Sequence, residues 1–254
     1  MEIIALKLSV TTCFLVKAGS RYVLIDTGYE YDWDIFRQKL QMAGIGLSRI
    51  SHIILTHHHD DHCGLLHHIL NENPQIRVVM SYRAKDLLLR GKNDDTHGGG
   101  LLNKRIELLL HCKQLYLSAV LKKPVDKEDN LKFAPYRARE GDILIPGETK
   151  LQDLGIDLTG RIFETPGHTV DSISVLLDDG ACFVGDAAAN FLHFAGTKNC
   201  VIFIADLDQY YSSWRRIIAM GARRIYPAHG KPFPVAQLEK NIGKNNKRSM
   251  VLGR

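Results

Sequence analysis

Residues 56–62, with the sequence THHHDDH, concentrate side chains that could bind metal ions. His57 and His59 are two positions apart, so in an extended backbone both point to the same side and can bind one ion. Asp61 and His62 follow at the turn into a predicted helix, where they could face a neighbouring position and bind a second ion. Imidazole and carboxylate are the usual ligands of zinc, and they also bind iron and manganese.

The position of this segment favours metal chemistry over a solvated histidine-rich run. Residues 50–55 are a nearly continuous apolar stretch, which is typical of a buried strand. Residues 64–70 then predict a short helix. The histidine-rich segment therefore lies on a strand-to-helix loop, where α/β folds place their ligands. His67 and His68, inside the predicted helix, are interpreted as structural.

Five motifs along the chain resemble those of the metallo-β-lactamase superfamily. Residues 57–62 fit its HxHxDH motif. The other four are LIDTG at residues 24–28, TPGHT at residues 165–169, VGD at residues 184–186 and YPAHG at residues 226–230. They follow the order of that superfamily, so the resemblance covers most of the chain and a chance match is excluded.

The resemblance implies an α/β fold, the αββα sandwich, with two divalent metal ions at one edge. Zinc is the favoured metal, with iron or manganese as alternatives. The implied ligands are His57, His59 and His168 for the first ion, Asp61, His62 and His229 for the second, and Asp186 as a bridge between them. Each ion then keeps a position for a shared water or hydroxide. Asp26 is expected to accept a hydrogen bond from a ligand histidine and so fix its orientation.

The implied activity is a dinuclear metal-dependent hydrolase acting on a small ester, lactone, thioester or phosphodiester. In this hypothesis Asp61 is catalytic, because it would orient the nucleophile and carry its proton to the leaving group. The alternative of the same fold is a mononuclear iron dioxygenase that oxidises sulfur. A metal-binding protein without catalysis is disfavoured, because every ligand position is filled.

Three better-known branches of the superfamily fit the sequence less well. Zinc β-lactamases lack the bridging aspartate that Asp186 supplies here. Glyoxalase II enzymes share the THHHxDH form but add a C-terminal helical domain, whereas only 25 residues follow His229 in this chain of 254. The PGHT motif and the bridging Asp186 also resemble acyl-homoserine lactonases, so the resemblance is to the glyoxalase II and lactonase-like branch. Those lactonases, however, place a tyrosine three residues after the bridging aspartate, where this chain has Ala189.

The coarse organisation is predicted as one domain, residues 1–254, with a helical insertion at residues 82–135. Strands are predicted at both ends of the chain and helices between and after them. The predicted strands are residues 3–8, 13–16, 22–25, 50–55, 76–80, 143–145, 161–165, 172–177, 181–184 and 224–227. The main predicted helices are residues 33–43, 101–121 and 209–220, with another beginning near residue 235.

Substrate specificity is expected from the insertion and from residues 187–196. Phe191, His193 and Phe194 follow the bridging aspartate and are candidates to line the pocket. His97 and the glycines at 98–100 are candidates for a lid hinge. For each of these, a solvent loop or ordinary core packing is the competing interpretation.

Composition indicates an ordinary globular protein, with 45% hydrophobic residues and a net charge of +5. Five irregularly spaced cysteines are interpreted as reduced thiols of a cytoplasmic protein. No targeting segment and no apolar run of about 20 residues is seen, so no membrane partner is expected. The basic C-terminal cluster is interpreted as a frayed tail and not as a nucleic-acid site. The expected partner is a small-molecule substrate; the oligomeric state is left open.

Overall fold

The computed structural model describes residues 2–94, 98–121 and 132–252, and for residues 114–121 it describes the backbone alone. It contains two six-stranded sheets and a small three-stranded sheet. The strands are β1 (Ile3–Lys7), β2 (Thr12–Ala18), β3 (Arg21–Ile25), β4 (Ile50–Ile54), β5 (Arg77–Ser81), β6 (Gly100–Leu101), β7 (Ile143–Ile145), β8 (Thr149–Lys150), β9 (Gly160–Glu164), β10 (Ile173–Leu177), β11 (Ala181–Gly185), β12 (Phe203–Ile204), β13 (Arg224–Pro227), β14 (Phe233–Pro234) and β15 (Val251–Leu252).

Seven α-helices accompany the sheets within the described residues. They are α1 (Trp33–Met42), α2 (Asp60–Cys63), α3 (Leu66–Glu72), α4 (Ala84–Arg90), α5 (Lys104–Leu121), α6 (Leu207–Ala219) and α7 (Ala236–Asn241). All the predicted strands are confirmed within two residues at either end. The helix predicted at residues 64–70 is α3, which begins and ends two residues later, and the short helix α2 before it was not predicted.

The two large sheets follow one another along the chain. The first has the order β1-β2-β3-β4-β5-β7, and the second has the order β14-β13-β11-β10-β9-β8. In the first sheet β3, β4, β5 and β7 run parallel, whereas in the second only β11 and β13 do. The segment predicted as an insertion thus lies between β5 and β7, which are neighbours in the first sheet. Its role as an insertion in a single domain stays a prediction.

Three apolar layers stack through the molecule. On β2, Phe14 and Val16 pack into the layer between the two sheets, whereas Cys13 and Leu15 pack under α1, α3 and α4. This alternation follows from the two-residue period of a strand, whose successive side chains point to opposite faces. A third layer lies between the second sheet and α6, where Tyr210, Trp214 and Ile217 are fully buried. The helix–sheet–sheet–helix order confirms the predicted αββα sandwich.

The C-terminal segment does not fray within the described residues, so this prediction is wrong. Strand β15 pairs antiparallel with β6, which also pairs with β12. Lys247 lies 2.7 Å from Asp208, and the buried Asn245 donates a hydrogen bond to the Thr197 carbonyl. Backbone pairing and these side-chain contacts anchor a segment whose composition resembles that of a solvated tail. None of the described helices is long and apolar enough to span a membrane.

Candidate metal centre

Loops at the ends of four strands bring the seven predicted ligand side chains together. The HxHxDH segment follows β4 in the first sheet, and the other three motifs follow β9, β11 and β13 in the second. The Ile173 amide donates to the Thr56 carbonyl at 2.9 Å and so links the two sheets beside the segment. All seven side chains are buried, and none belongs to a residue more than 9% exposed. The site is therefore built from both halves of the sandwich.

Three overlapping groups of three side chains converge closely enough to hold a metal ion, and one of them joins Asp186 to His57 and His62. The other two share no residue with each other. The first is His57, His59 and His168, and the second is Asp61, His62 and His229; within each group the ligand atoms lie within 4.8 Å of one another. These are the two predicted ligand sets. Nε2 of His168 lies 3.0 Å from Nδ1 of His59, and Nε2 of His229 lies 3.1 Å from Oδ2 of Asp61.

Asp186 lies between the two groups. Its Oδ1 is 3.2 Å from Nε2 of His229 and 3.4 Å from Nε2 of His62. Its Oδ2 is 3.4 Å from Nε2 of His168, which belongs to the other group. One carboxylate thus presents one oxygen to each side, which is the geometry a bridging ligand needs.

The buried polar atoms at this place fit metal ions. Nε2 of His57, Nε2 of His62 and Oδ1 of Asp186 are buried and have no hydrogen-bond partner among the described residues. A buried polar atom without a partner is costly, and native proteins rarely leave one unexplained. The three atoms converge, and imidazole with carboxylate is the ligand set of zinc. The residues present therefore fit divalent metal ions.

Four of the five histidines carry a second contact that fixes the ring. Nδ1 of His168 lies 2.9 Å from the Phe203 carbonyl oxygen, and Nδ1 of His57 lies 3.1 Å from Oγ1 of Thr56. Nδ1 of His229 lies 3.4 Å from the Val10 carbonyl oxygen. A neutral imidazole that donates through Nδ1 presents an unprotonated Nε2, so these contacts favour the neutral tautomer that is able to bind a metal.

Asp26 makes the contact predicted for it. Its Oδ2 lies 2.9 Å from Nδ1 of His62, and it also accepts hydrogen bonds from the Thr56 amide at 2.8 Å and hydroxyl at 2.9 Å. Its backbone is in the left-handed region, with φ at +59°. A strained residue persists where its surroundings hold it. Asp26 therefore joins the end of β3 to the HxHxDH segment and orients His62.

Burial and charge divide the five histidines into two classes. Burial first, and then the neighbouring histidines, lower the pKa of His57 and His59 well below the ordinary value. Burial also lowers the pKa of His229, but Asp186 and Asp61 outweigh it and raise that pKa to about 10. Burial likewise lowers the pKa of His62, but Asp61, Asp26 and Asp186 outweigh it and raise that pKa above its ordinary value. The first group is therefore neutral and ready to bind a metal, whereas the second must release protons to do so.

Sequence reasoning missed a second layer of contacts around the HxHxDH segment. Nδ1 of His58 lies 2.9 Å from the buried carboxylate of Asp171, and its Nε2 accepts a hydrogen bond from the Asp94 amide. Asp60 and Asn93 exchange two hydrogen bonds of 2.9 Å. The intervening residues of the motif thus hold the loop after α4. Each partner is more than 30 positions away, so no local pattern could have indicated it.

The residues predicted to line the pocket have different surroundings. The Phe191 ring lies 5.7 Å from the His229 ring, so it borders the candidate metal centre. Phe194 is largely exposed, and Nε2 of His193 lies 2.6 Å from Oδ1 of Asn190. Residues 187–189 are buried in the core beside α6. His68 stacks on Trp33, in keeping with the structural role expected of it.

Two of the three glycines predicted as a hinge pack closely against neighbouring strands, and the hinge itself stays a prediction. A Cβ on Gly99 would lie 2.4 Å from the Ala205 backbone, and one on Gly100 would lie 2.1 Å from the Val251 carbonyl oxygen. The absent side chains therefore allow β6 to fit between β12 and β15. His97 lies outside the described residues.

Known proteins resemble this chain along most of its length. The chain is 23% identical over 221 residues to the beta-lactamase-like protein 2 homolog of Caenorhabditis elegans, covering 87% of this chain and 56% of that protein. It is 25% identical over 227 residues to the atrochrysone carboxyl ACP thioesterase of Aspergillus fumigatus, covering 89% and 52% respectively. The chain thus spans about half the length of these relatives.

Solved structures share the fold. A subclass B3 metallo-beta-lactamase of Bradyrhizobium japonicum superposes with a TM-score of 0.62 at 18% identity, covering 94% of this chain and 87% of that one. Residues 6–229 match the family described as the metallo-beta-lactamase superfamily, and this range includes all seven converging side chains. The chain belongs to the metallo-beta-lactamase superfamily.

Proposed function

We propose that this protein is a dinuclear metal-dependent hydrolase of a small ester, lactone, thioester or phosphodiester. The observation that carries the proposal is the position of Asp186, with one carboxylate oxygen toward each three-ligand group. A carboxylate so placed suits two neighbouring ions better than one. The two groups would hold the ions as the sequence motifs imply.

Two zinc ions at these positions would lower the pKa of a shared water to near neutrality and polarise the substrate oxygen. Side chains of this protein would position the attacking water beside these ions. The Thr11 hydroxyl donates to Oδ2 of Asp61 at 3.1 Å, so this carboxylate is fixed on the side that faces His229. Asp61 orients the attacking water through the same oxygen and holds its proton until the leaving group accepts it.

Thioesters are the first substrates to test. The relative from A. fumigatus is named as a thioesterase, which supports this class for the present chain. β-Lactam cleavage is disfavoured, because the subclass B3 likeness lies at 18% identity and reflects the fold alone. Asp186 also supplies the bridging group that zinc β-lactamases lack.

The deciding experiment is elemental analysis of protein purified without added metal or chelator. Two zinc or two manganese ions per chain, with turnover of a thioester, ester, lactone or phosphodiester, are expected. One iron per chain, with oxygen uptake on persulfides, would overturn the proposal in favour of a sulfur-oxidising dioxygenase. Full metal loading without turnover in any of the four substrate classes would also count against it.

Asp61→Asn tests the proton-holding role. We expect kcat to fall about 100-fold, because the amide accepts no proton from the attacking water. Metal content is measured on the same sample, so that loss of an ion is separated from loss of proton transfer. Asp153→Asn, in an exposed turn, serves as the control. Near-normal turnover by Asp61→Asn with both ions retained contradicts this role.

A further inference from the structure

Two tyrosines that the sequence motifs do not include form an aromatic pair beside the metal centre. The rings of Tyr29 and Tyr31 stack with centroids 4.8 Å apart and planes inclined by 14°. Tyr31 is 70% exposed, whereas Tyr29 is only partly exposed. Large aromatic groups are usually buried, so a stacked pair with one open ring is a candidate binding surface.

The backbone fixes this pair against the second three-ligand group. Both the amide and the hydroxyl of Thr27 donate to the His62 carbonyl oxygen, at 2.8 and 2.9 Å. Gly64 closes the helix α2 there, and a Cβ on it would lie 2.6 Å from the Glu30 amide nitrogen. The turn that carries both tyrosines therefore packs directly on the helix that carries Asp61 and His62.

A buried carboxylate holds the turn from the other side. Asp32 is fully buried and accepts hydrogen bonds from the Ser9 amide at 3.2 Å and the Ser9 hydroxyl at 3.0 Å. Ser9 belongs to the β1–β2 turn, whose Thr11 hydroxyl reaches Asp61 at 3.1 Å. Two independent connections thus link the tyrosine turn to the candidate metal centre, so the backbone of this turn is held before any substrate binds.

The Tyr29 phenol lies near enough to Asp61 and Asp60 to feel their charges. Burial, and then the carboxylates of Asp61 and Asp60, raise the pKa of this phenol above its ordinary value. The ring stays neutral over the working range of pH and can contact an uncharged group without a change of ionisation.

We propose that Tyr29 and Tyr31 form a specificity platform for a flat, uncharged aryl group of the substrate. The aryl group extends the stack on the open ring of Tyr31, and the scissile carbonyl then reaches the side of the centre that contains Asp61. This deepens the proposed hydrolase function and rests on it. Tyrosine suits such a surface, because it offers a large rigid contact area with few rotatable bonds.

Substrate selectivity tests the platform. We compare 2-naphthoyl and acetyl thioesters of the same thiol with the metal-loaded wild type, Tyr31→Phe, Tyr31→Leu and Tyr31→Ala. Tyr31→Ala is expected to raise KM for the naphthoyl substrate about tenfold and to leave KM for the acetyl substrate unchanged. Tyr31→Phe keeps the ring and should match the wild type. Tyr31→Leu keeps apolar area without a flat face and should fall between them.

Binding of 2-naphthamide, an uncharged and unreactive probe, gives a readout apart from activity. Its fluorescence is titrated with metal-loaded and with chelated protein, because the platform contains no predicted metal ligand. The wild type and Tyr31→Phe should bind it alike in both states, and Tyr31→Ala should bind it about tenfold more weakly. Met42→Ala, which removes a comparably exposed side chain on α1, is the matched control and should bind as the wild type does.

The outcomes separate this inference from the function beneath it. If the wild type hydrolyses both thioesters and Tyr31→Ala alters neither selectivity nor probe binding, the platform proposal is wrong and the hydrolase proposal is supported. If probe binding depends on Tyr31 but no substrate class is hydrolysed, the hydrolase is wrong and the aryl-binding surface stands. An equal rise of KM for the naphthoyl and acetyl substrates would also overturn the platform, because it would indicate general damage to the site.

Discussion

Asp26 combines a strained backbone with three hydrogen bonds, and that combination explains its position. The left-handed conformation turns its carboxylate from the end of β3 toward both Thr56 and His62. Without that turn, the His62 ring would lose the partner that fixes its orientation. The strain is therefore the cost of bringing an acceptor to the inner nitrogen of a candidate ligand.

Asp26→Ala should weaken zinc binding at the second three-ligand group about 10–100-fold. The reason is that His62 loses the acceptor that holds its ring and selects its tautomer. Competition with a chromophoric chelator measures the affinity of each ion. Asp171→Ala removes another buried carboxylate, one that contacts His58 outside both groups, and serves as the matched control. An equal loss of affinity in both variants would mean that the effect is general destabilisation.

At the scale of elements, the two-residue strands are the part of the fold that could not be predicted from the sequence. Residues 50–55 predict β4 because a buried parallel strand is apolar throughout. Strands β6, β12 and β15 are too short to show any period, and β6 contains a glycine, which propensity disfavours in strands. Their pairing joins residues about 100 and 150 positions apart in the chain, which no local pattern reports.

The candidate site also contains side chains that the sequence predicts and contacts that it does not. The seven converging side chains were predictable because each lies in a short motif at the end of a strand. The Tyr29–Tyr31 pair follows directly after the LIDTG motif, and two aromatic residues there were the available signal. The pairing of His58 with Asp171 spans 113 positions and depends on how the two sheets pack, so the sequence alone could not indicate it.

Gly100→Ala should release the C-terminal strand. Its new Cβ would meet the Val251 carbonyl oxygen at 2.1 Å, so β6 and β15 must move apart. We expect a loss of about 1–3 kcal/mol in the free energy of unfolding and faster hydrogen exchange at residues 250–252. Gly147→Ala is the control, because nothing lies within 4 Å of the Cβ it would add. Unchanged exchange at the C-terminal strand would contradict the packing role of this glycine.

The histidine inside β4 makes stability depend on pH. Burial, and then Arg77 and Arg21, lower the pKa of His52 to about 4. His52 is therefore protonated near pH 6.5 in the unfolded chain, but only near pH 4 in the folded chain. The contribution of His52 to the free energy of unfolding is present above pH 6.5. It is lost as the pH falls from 6.5 to 4, by at most about 3 kcal/mol.

His52→Leu should flatten this dependence. Denaturant unfolding at several pH values between 7 and 4 measures it, compared with the exposed-site control His67→Gln. The slope of the unfolding free energy against pH should decrease in His52→Leu and stay unchanged in the control. A slope equal to that of the wild type would show that other groups dominate the acid response.

At the scale of the whole molecule, the candidate metal centre joins the two halves of the sandwich. His57, His59, Asp61 and His62 come from the first sheet's loops, and the other three ligands come from the second's. Bound ions would therefore resist separation of the sheets as well as supply chemistry. Ligand binding to the folded state alone stabilises it by about 4 kcal/mol at roughly 1,000 times Kd.

Chelation should accordingly lower the melting temperature of the metal-loaded protein by about 10 °C, since each kcal/mol is worth about 2–4 °C in a domain of this size. Differential scanning calorimetry with and without chelator measures the shift. In His229→Ala, which leaves the second group with two side chains, the shift should be smaller. A melting temperature indifferent to chelator in the metal-loaded wild type would contradict the joining role.

The sequence positions of the ligands impose an order on biosynthesis. A ribosome completes the chain from its N-terminus, so the first three-ligand group is available once His168 has been made. The second group must wait for His229, the last of the seven. An ion bound before synthesis is complete would therefore be held by the first group, because Asp61 and His62 still lack their third partner. Metal loading of this protein is expected to be sequential, with the histidine-only group filled first.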